Sequence, residues 1–139
     1  MILQLRSAAD TIELGARIGN RLRPGQVITL EGPLGSGKTT LVKGIARALN
    51  IDEAVTSPSF TLISEYQGSL PLYHMDLYRI DEPEEFELLG AEEMMYGGGV
   101  TVIEWGEKIK ELLPADAVFI RFRMEEDGNR EVTVNGIVV

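Results

Sequence analysis

One octapeptide constrains the fold of this chain more than any other segment. Residues 32–39 read Gly-Pro-Leu-Gly-Ser-Gly-Lys-Thr and match the pattern G-x-x-x-x-G-K-[ST] in full. A β-rich run, Gln26 to Leu30, precedes the octapeptide, and Thr39 to Leu49 repeats apolar residues at helical spacing. A glycine-rich turn between a strand and a helix is typical of a phosphate-binding loop. We refer to residues 32–39 as the glycine-rich loop.

Phosphate chemistry accounts for each part of this loop. Its glycines let the backbone curl so that successive N–H groups face one cluster of oxygens, and the following helix adds the positive end of its dipole. The Lys38 ammonium is expected to reach the β- and γ-phosphates, and the Thr39 hydroxyl to bind Mg²⁺. The predicted cofactor-binding residues of this segment are Gly32, Pro33, Leu34, Gly35, Ser36, Gly37, Lys38, Thr39 and Thr40.

The other segments predict a single α/β domain over residues 1–139. Ser7 resembles the N-cap of a helix that runs to about Arg23. Hairpin turns are predicted at 67–69 and 127–129. Strands are expected at 2–6, 26–30, 60–66, 70–75, 100–103, 117–124 and 130–134, and helices at 7–23, 39–49, 84–96 and 106–113. The expected fold is a P-loop NTPase-like three-layer sandwich with a mixed, largely parallel sheet and antiparallel hairpins.

The charge of the chain argues against direct binding to nucleic acid. Lys and Arg number 13 against 22 Asp and Glu, which gives a formal net charge of −9. Acidic residues gather at 81–93, and basic residues are scattered, so no basic face is expected. The acidic segment either docks on a basic partner or is an ordinary solvated face. Cysteine is absent, which excludes disulfides and thiolate metal sites and suits a cytoplasmic protein.

Elimination favours ATP as the nucleotide. The sequence has no guanine-reading Asn-Lys-x-Asp, and no Asp-x-x-Gly ends a strand after the loop. Two carboxylates, Asp76 and Glu104, follow apolar runs and would lie at strand ends beside the phosphates. Glu104 is the stronger candidate for the metal ligand because its strand is more apolar, and Asp76 would hold a water molecule or sense the γ-phosphate. The competing interpretation of either residue is an ordinary surface carboxylate.

Four further features have a structural as well as a functional interpretation. Residues 57–61 are either a switch that folds onto Mg²⁺ and the γ-phosphate or a plain turn. Arg79 either stabilises transition-state charge or pairs with a neighbouring acid at the surface. His74, the only histidine, is expected to be a sheet residue with satisfied hydrogen bonds, and Trp105 to serve packing.

Five segments follow one another in order at plausible spacing. They are Gly32 to Thr40, Ser57-Pro58-Ser59-Phe60-Thr61-Leu62, His74-Met75-Asp76-Leu77-Tyr78-Arg79, Glu85 to Gly90, and Val102-Ile103-Glu104-Trp105. Together they resemble the TsaE (YjeE) family of bacterial ATPases, from about residue 7 to residue 113. The segment at 74–79 with Glu-Trp downstream is far more specific than the loop alone. Ser59 departs from the family pattern, in which threonine is usual.

The resemblance implies a function that spacing alone does not show. TsaE proteins bind ATP and Mg²⁺ and act with TsaB and TsaD in forming threonylcarbamoyladenosine (t6A) at adenosine 37 of tRNAs that read codons beginning with A. TsaE alone is a weak ATPase, and hydrolysis resets the partner complex between turnovers. Contact with tRNA is expected only through these partners. The protein is expected in the cytoplasm, and no association with a membrane is expected.

The resemblance also assigns residues. Thr39 and Glu104 would be the Mg²⁺ ligands, and the catalytic residues would be Lys38, Asp76 and Glu104. Residues 57–61 would form a first switch, with Asp76 as the key acid of a second. The nucleotide pocket would include Ala8 and Thr11 from the first predicted helix.

Two other functions stay open on the sequence alone. A small-molecule kinase usually carries an Arg-rich lid over the transferred phosphate, and no stretch of this chain is Arg-rich. A non-hydrolysing nucleotide sensor would share the loop and differ only in the absence of turnover.

Overall fold

The strand that leads into the glycine-rich loop is the central strand of the seven-stranded sheet formed by the described residues. The protein is described by a computed structural model over residues 1–58 and 62–139. Its elements in chain order are β1 Ile2–Leu5, α1 Ala8–Gly19, β2 Val27–Glu31, α2 Lys38–Ala48, β3 Ile63–Tyr66, β4 Leu72–Asp76, α3 Pro83–Leu88, α4 Glu92–Met95, β5 Val100–Glu104, a 3₁₀ segment Gly106–Leu112, β6 Val118–Met124 and β7 Arg130–Asn135.

The sheet is parallel in its centre and antiparallel at both sides. Its strand order is β1-β7-β6-β2-β5-β4-β3. Strands β6, β2, β5 and β4 pair in parallel, whereas β1–β7, β7–β6 and β4–β3 are antiparallel. Both predicted hairpin turns are present, at 67–69 and at 127–129, so the predicted mixed sheet is confirmed. The parallel strands bring the carboxyl ends of β2, β4 and β5 to one edge of the sheet.

Helices cover both faces of the sheet and form the predicted three layers. Alternate residues of a strand point to opposite faces, so Ile28 faces one layer and Val27 the other. On one face, fully buried Leu41 and Ile45 of α2 pack with Ile28. The opposite core contains Val27, Met75, Ile103, Phe86 and Met95. Burying each such large side chain stabilises the fold by about 1.5–3 kcal/mol.

Helices α1 and α2 cross at very short distance because each contributes a glycine to the contact. A Cβ atom added at Gly15 would collide with the carbonyl oxygen of Leu41, and one at Gly44 would collide with that of Ile12. No larger residue fits at either position without separating the helices. This contact places the first turn of α1 beside the glycine-rich loop.

The sequence placed some element boundaries wrongly. Helix α1 ends at Gly19 rather than near Arg23. The N–H groups of Arg21 and Leu22 donate to the carbonyls three residues before them instead of four, so the α-helical pattern stops. The single helix expected over 84–96 is two short helices, since Gly90 has a left-handed φ of 68° that stops the first. The helix expected at 106–113 is a 3₁₀ segment. The start of the strand expected at 60 falls outside the described residues, which show strand from Ile63.

No helix in the described ranges is long and apolar enough to cross a bilayer.

Candidate functional site

The glycine-rich loop ends in a helix whose amino end is uncapped. Gly35 and Gly37 have φ of 77° and 106°, in the left-handed region that favours glycine. Helix α2 then begins without a side-chain cap and without an acidic residue in its first turn. In α1, by contrast, the Ser7 hydroxyl accepts from the Asp10 amide at 3.1 Å, as its sequence predicts. The positive amino end of α2 is therefore left for an anion.

A cavity of about 320 Å³ lies beside this loop. Its lining includes most of the predicted site, namely Ala8, Thr11, Leu34, Gly35, Gly37, Lys38, Thr39, Thr40, Asp76 and Glu104. Gly32, Pro33 and Ser36 do not line it, and Ser7, Ser57, Trp105 and Arg130 line it in addition. A larger cavity of about 480 Å³, between the 3₁₀ segment and β6–β7, has neither the loop nor this carboxylate pair. We therefore take the cavity by the loop as the candidate functional site.

The two predicted carboxylates end neighbouring parallel strands and lie opposite each other in the register of β4 and β5. Both are buried, with Glu104 4% and Asp76 9% exposed. The Thr39 hydroxyl donates to Glu104 Oε2 at 3.1 Å, and the Ser57 hydroxyl donates to Asp76 Oδ2 at 3.3 Å. The backbone N–H of Tyr78 donates to Asp76 Oδ1 at 3.0 Å. Sequence reasoning thus predicted a pair that the fold brings together.

The donors around Thr39 suit Mg²⁺ rather than a softer metal, because they are a hydroxyl and a carboxylate. Within the described ranges no group of three or more His, Cys, Asp or Glu side chains could hold a metal by itself. Mg²⁺ usually binds one or two protein oxygens and completes its shell with phosphates and water. Thr39 and Glu104, 3.1 Å apart, fit that kind of site.

Lys38 is almost fully buried, with 4% of its surface exposed. Its Nζ donates to the carbonyl of Gly32 at 2.7 Å and lies 3.9 Å from the centroid of the Trp105 ring. Burial lowers the pKa of Lys38, and the carboxylates of Glu104 and Asp76 act in the opposite direction. Trp105 packs against the core, as expected, and its ring also contacts the loop lysine.

His74 contacts Glu104 from the adjacent strand. Its Nε2 lies 2.6 Å from Glu104 Oε2, and the imidazole is fully buried. The other ring nitrogen, Nδ1, has no hydrogen-bond partner among the residues described. The expectation of a fully satisfied sheet histidine is therefore wrong for one of its two nitrogens.

Arg130 is a site residue that sequence reasoning missed. It begins β7, and its guanidinium donates to the carbonyls of Ser36 at 3.2 Å and Gly35 at 3.1 Å. These carbonyls belong to the loop, so Arg130 fixes the loop from outside. No motif signals this role, because it depends on how the last hairpin lies against the centre of the sheet.

The segment after Asp76 is tied to the 3₁₀ segment. Lys108 Nζ donates to the carbonyls of Tyr78 at 2.6 Å and Ile80 at 2.9 Å. Arg79 lines a smaller cavity of about 230 Å³, which Asp76 and Ser57 also line.

Of the predicted switch at 57–61, Ser57 and Pro58 are described and Ser59 to Thr61 lie outside the described residues.

Comparison with known proteins agrees with the fold and the motifs. A family model described as "Threonylcarbamoyl adenosine biosynthesis protein TsaE" matches residues 5–132. The chain is 51% identical over 129 residues to the "tRNA threonylcarbamoyladenosine biosynthesis protein TsaE" of Treponema pallidum (strain Nichols). The match covers 93% of this chain and 96% of that protein. The Bacillus subtilis (strain 168) protein of the same name is 47% identical over 116 residues, 83% of this chain and 72% of that protein.

A solved structure gives the same answer at the level of the fold. The crystal structure of YdiB from Bacillus subtilis superposes with a TM-score of 0.84 at 38% identity, over 96% of this chain and 83% of that one. The predicted α/β fold of the P-loop type is thereby confirmed. Since both the family model and relatives above 40% identity span most of the sequence, this chain belongs to the TsaE family, whose members are named for the biosynthesis of threonylcarbamoyladenosine in tRNA.

Proposed function

We propose that this protein is a Mg²⁺-dependent ATPase that works in the cytoplasm with TsaB and TsaD in the t6A modification of adenosine 37 in tRNAs reading codons that begin with A. One observation carries the proposal. The uncapped amino end of α2 lies next to the buried Lys38 and to the Thr39–Glu104 pair. A site for a nucleoside triphosphate with Mg²⁺ requires an anion-binding helix end, a cation and a pair of hard oxygen donors.

Binding would begin with the phosphates on the backbone amides of the loop and of the first turn of α2. Lys38 would move its ammonium from the Gly32 carbonyl toward the β- and γ-phosphates. Arg130 keeps the loop in shape by holding the carbonyls of Gly35 and Ser36. The first turn of α1, with Ala8 and Thr11, would form the opposite wall of the pocket.

Hydrolysis would depend on the two buried carboxylates. When bound, Mg²⁺ would neutralise part of the phosphate charge. Thr39 and Glu104 would hold the metal. Asp76, fixed by the Tyr78 amide at 3.0 Å, would hold the attacking water or sense the γ-phosphate. Among the described residues that line this cavity, the one arginine is Arg130, and its guanidinium donates to the loop carbonyls.

The surface charge supports an indirect role in tRNA chemistry. A chain with a net charge of −9 and acids gathered at 81–93 is poorly suited to hold an RNA backbone by itself. Contact with tRNA would then come through the partner proteins. ATP hydrolysis in this chain would reset the partner complex between turnovers.

The decisive experiment measures binding and turnover with and without the partners. Calorimetry with ATP, GTP and Mg²⁺ should give clear affinity for ATP over GTP. Turnover should be slow for the protein alone and rise when TsaB and TsaD are added, and a pull-down of the two partners should depend on ATP. Absence of any adenine nucleotide affinity in the folded, Mg²⁺-loaded protein would refute the proposal, and full-speed turnover in isolation would refute the role of the partners.

A further inference from the structure

One carboxylate oxygen of Glu104 accepts two hydrogen bonds. Thr39 Oγ1 lies 3.1 Å from Oε2, and His74 Nε2 lies 2.6 Å from the same atom. An ionised carboxylate can only accept, so the contact is a hydrogen bond to Glu104 when the Nε2 atom of His74 carries the proton.

The buried position of His74 is energetically unfavourable by itself. The imidazole is fully buried, and Nδ1 lacks a hydrogen-bond partner among the described residues. A buried polar atom without a partner destabilises the fold, and an apolar side chain at this position would avoid that cost. Packing alone therefore does not explain a histidine here.

The strand geometry makes the contact specific to Glu104. His74 pairs with Val102 in the register of β4 and β5, and Glu104 lies two residues further along β5. Residues two apart on a strand point to the same face, so the imidazole and the carboxylate share the face that carries α2. The ring reaches the carboxylate from the side of β4, and Thr39 reaches it from α2.

We propose that His74 is a positioning residue for the metal site: its Nε2–H fixes the orientation of the Glu104 carboxylate and thereby sets the affinity for Mg²⁺. The inference rests on the proposed function, because it assumes that Thr39 and Glu104 hold Mg²⁺ beside bound nucleotide. His74 touches neither metal nor nucleotide in this scheme. Hydrogen bonds that orient a metal ligand typically change metal affinity about 10–100-fold when they are removed.

The test compares three variants by calorimetry of ATP binding, in EDTA and over a series of Mg²⁺ concentrations. His74→Leu removes the donor, and His74→Gln keeps an N–H donor of similar reach. Thr101→Val is the matched control, since Thr101 is also fully buried, lies on β5 and has a hydroxyl without a partner among the described residues. Thermal denaturation of each nucleotide-free variant shows whether it is folded.

The expected result is a Mg²⁺ requirement raised about tenfold or more in His74→Leu, with ATP affinity in EDTA unchanged. His74→Gln should recover most of the loss, and Thr101→Val should equal the wild type. A folded His74→Leu variant with wild-type Mg²⁺ dependence would overturn the inference. If the wild type binds no ATP under any condition, the proposed function fails instead, and the two failures are thus distinguishable.

A measurement on the unmodified protein covers the case in which His74→Leu does not fold. His74 is the only histidine, so its ring nitrogens can be assigned by ¹⁵N NMR without ambiguity. We expect the Nε2–H tautomer in the nucleotide-free protein, and a shift of the Nε2 resonance when Mg²⁺ is added to the ATP-loaded protein. An Nδ1–H tautomer, or no response to Mg²⁺, would contradict the inference.

Discussion

The ammonium of Lys38 lies 3.9 Å from the centroid of the Trp105 indole, close enough for a cation–π contact. Trp105 has a φ of 64°, a left-handed conformation that costs a residue with a side chain about 1–2 kcal/mol. This turn ends β5 and begins the 3₁₀ segment. Trp105 packs against the core and also lines the cavity beside the glycine-rich loop, in contact with its lysine.

This contact predicts an optical signal for nucleotide binding. Trp105 is the only tryptophan, so all tryptophan emission comes from the ring beside Lys38. Moving the ammonium from the ring to a phosphate changes the surroundings of the indole. We expect the emission intensity or maximum to change on addition of ATP and to saturate with binding, as measured by fluorescence titration. Calorimetric saturation without any change of emission would show that Lys38 stays on the ring.

Lys38→Ala is expected to weaken ATP binding about 100-fold, because hydrogen bonds to a charged group contribute up to about 3 kcal/mol. The measurement is the dissociation constant from calorimetry. Lys43→Ala is the matched control, since Lys43 is an exposed lysine of the same helix. An equal loss in both variants would point to overall charge instead of the loop.

Glu104→Gln should lower Mg²⁺-dependent ATP hydrolysis by about 100-fold or more while leaving ATP affinity in EDTA close to that of the wild type. The amide keeps the shape of the side chain but loses the charge that would hold the metal. Phosphate release under saturating ATP gives the rate. Exposed Glu93 on α4 provides the control Glu93→Gln. Unchanged hydrolysis in Glu104→Gln would remove Glu104 from the metal site.

Arg130→Ala is expected to weaken ATP binding about tenfold, because two hydrogen bonds that shape the loop are lost. The effect on thermal stability should be smaller than the effect on binding. Arg123→Ala is the control, as Arg123 lies on the neighbouring strand and pairs with Glu131 at the surface. Nucleotide affinity that does not respond to Arg130→Ala would mean that the loop keeps its shape unaided.

Glu107 gives a prediction about pH. Burial raises the pKa of Glu107 above its usual 4.5, with the nearby charge of Glu31 adding to the effect. The folded state therefore holds this proton more tightly than the unfolded state, and stability falls as pH rises from about 4.5 through the raised pKa. Above that value the whole penalty persists.

Replacing Glu107 by glutamine removes the penalty. Glu107→Gln should raise the denaturation temperature slightly at about pH 7, and the gain should disappear below about pH 4.5, where both states hold the proton. The effect is small because Glu107 is exposed to solvent. Glu111→Gln, in the same 3₁₀ segment, corrects for the change in net charge. A gain that is equal at both pH values would contradict this assignment.

Local patterns in the sequence predicted those parts of the site that are each signalled within one short segment of the chain. The glycine-rich loop follows from the demands of backbone geometry, and Asp76 and Glu104 follow from the position of carboxylates after apolar strands. Arg130 could not be predicted, because its contact with the loop requires β7 to return beside β6 and β6 to pair with β2. Contacts between distant segments are fixed by strand order, which local patterns do not contain.

The same limit applies to His74. Its place in a strand was predicted, but its bond to Glu104 exists only because β4 and β5 are neighbours in a particular register. The division of the helix over 84–96 is different, since the Glu-x-x-x-Leu-Gly segment contained the signal in Gly90. A glycine at this position often ends a helix, and here it divides the predicted helix in two.

The glycine contact between α1 and α2 sets the distance between the two helices, and this distance determines the width of the pocket. Ala8 and Thr11 on α1 line the same cavity as Lys38 and Thr39 on α2. A single methyl group at position 15 or 44 would act as a wedge and move one wall away from the other. Such a change would loosen the grip on a ligand without altering any atom that touches it.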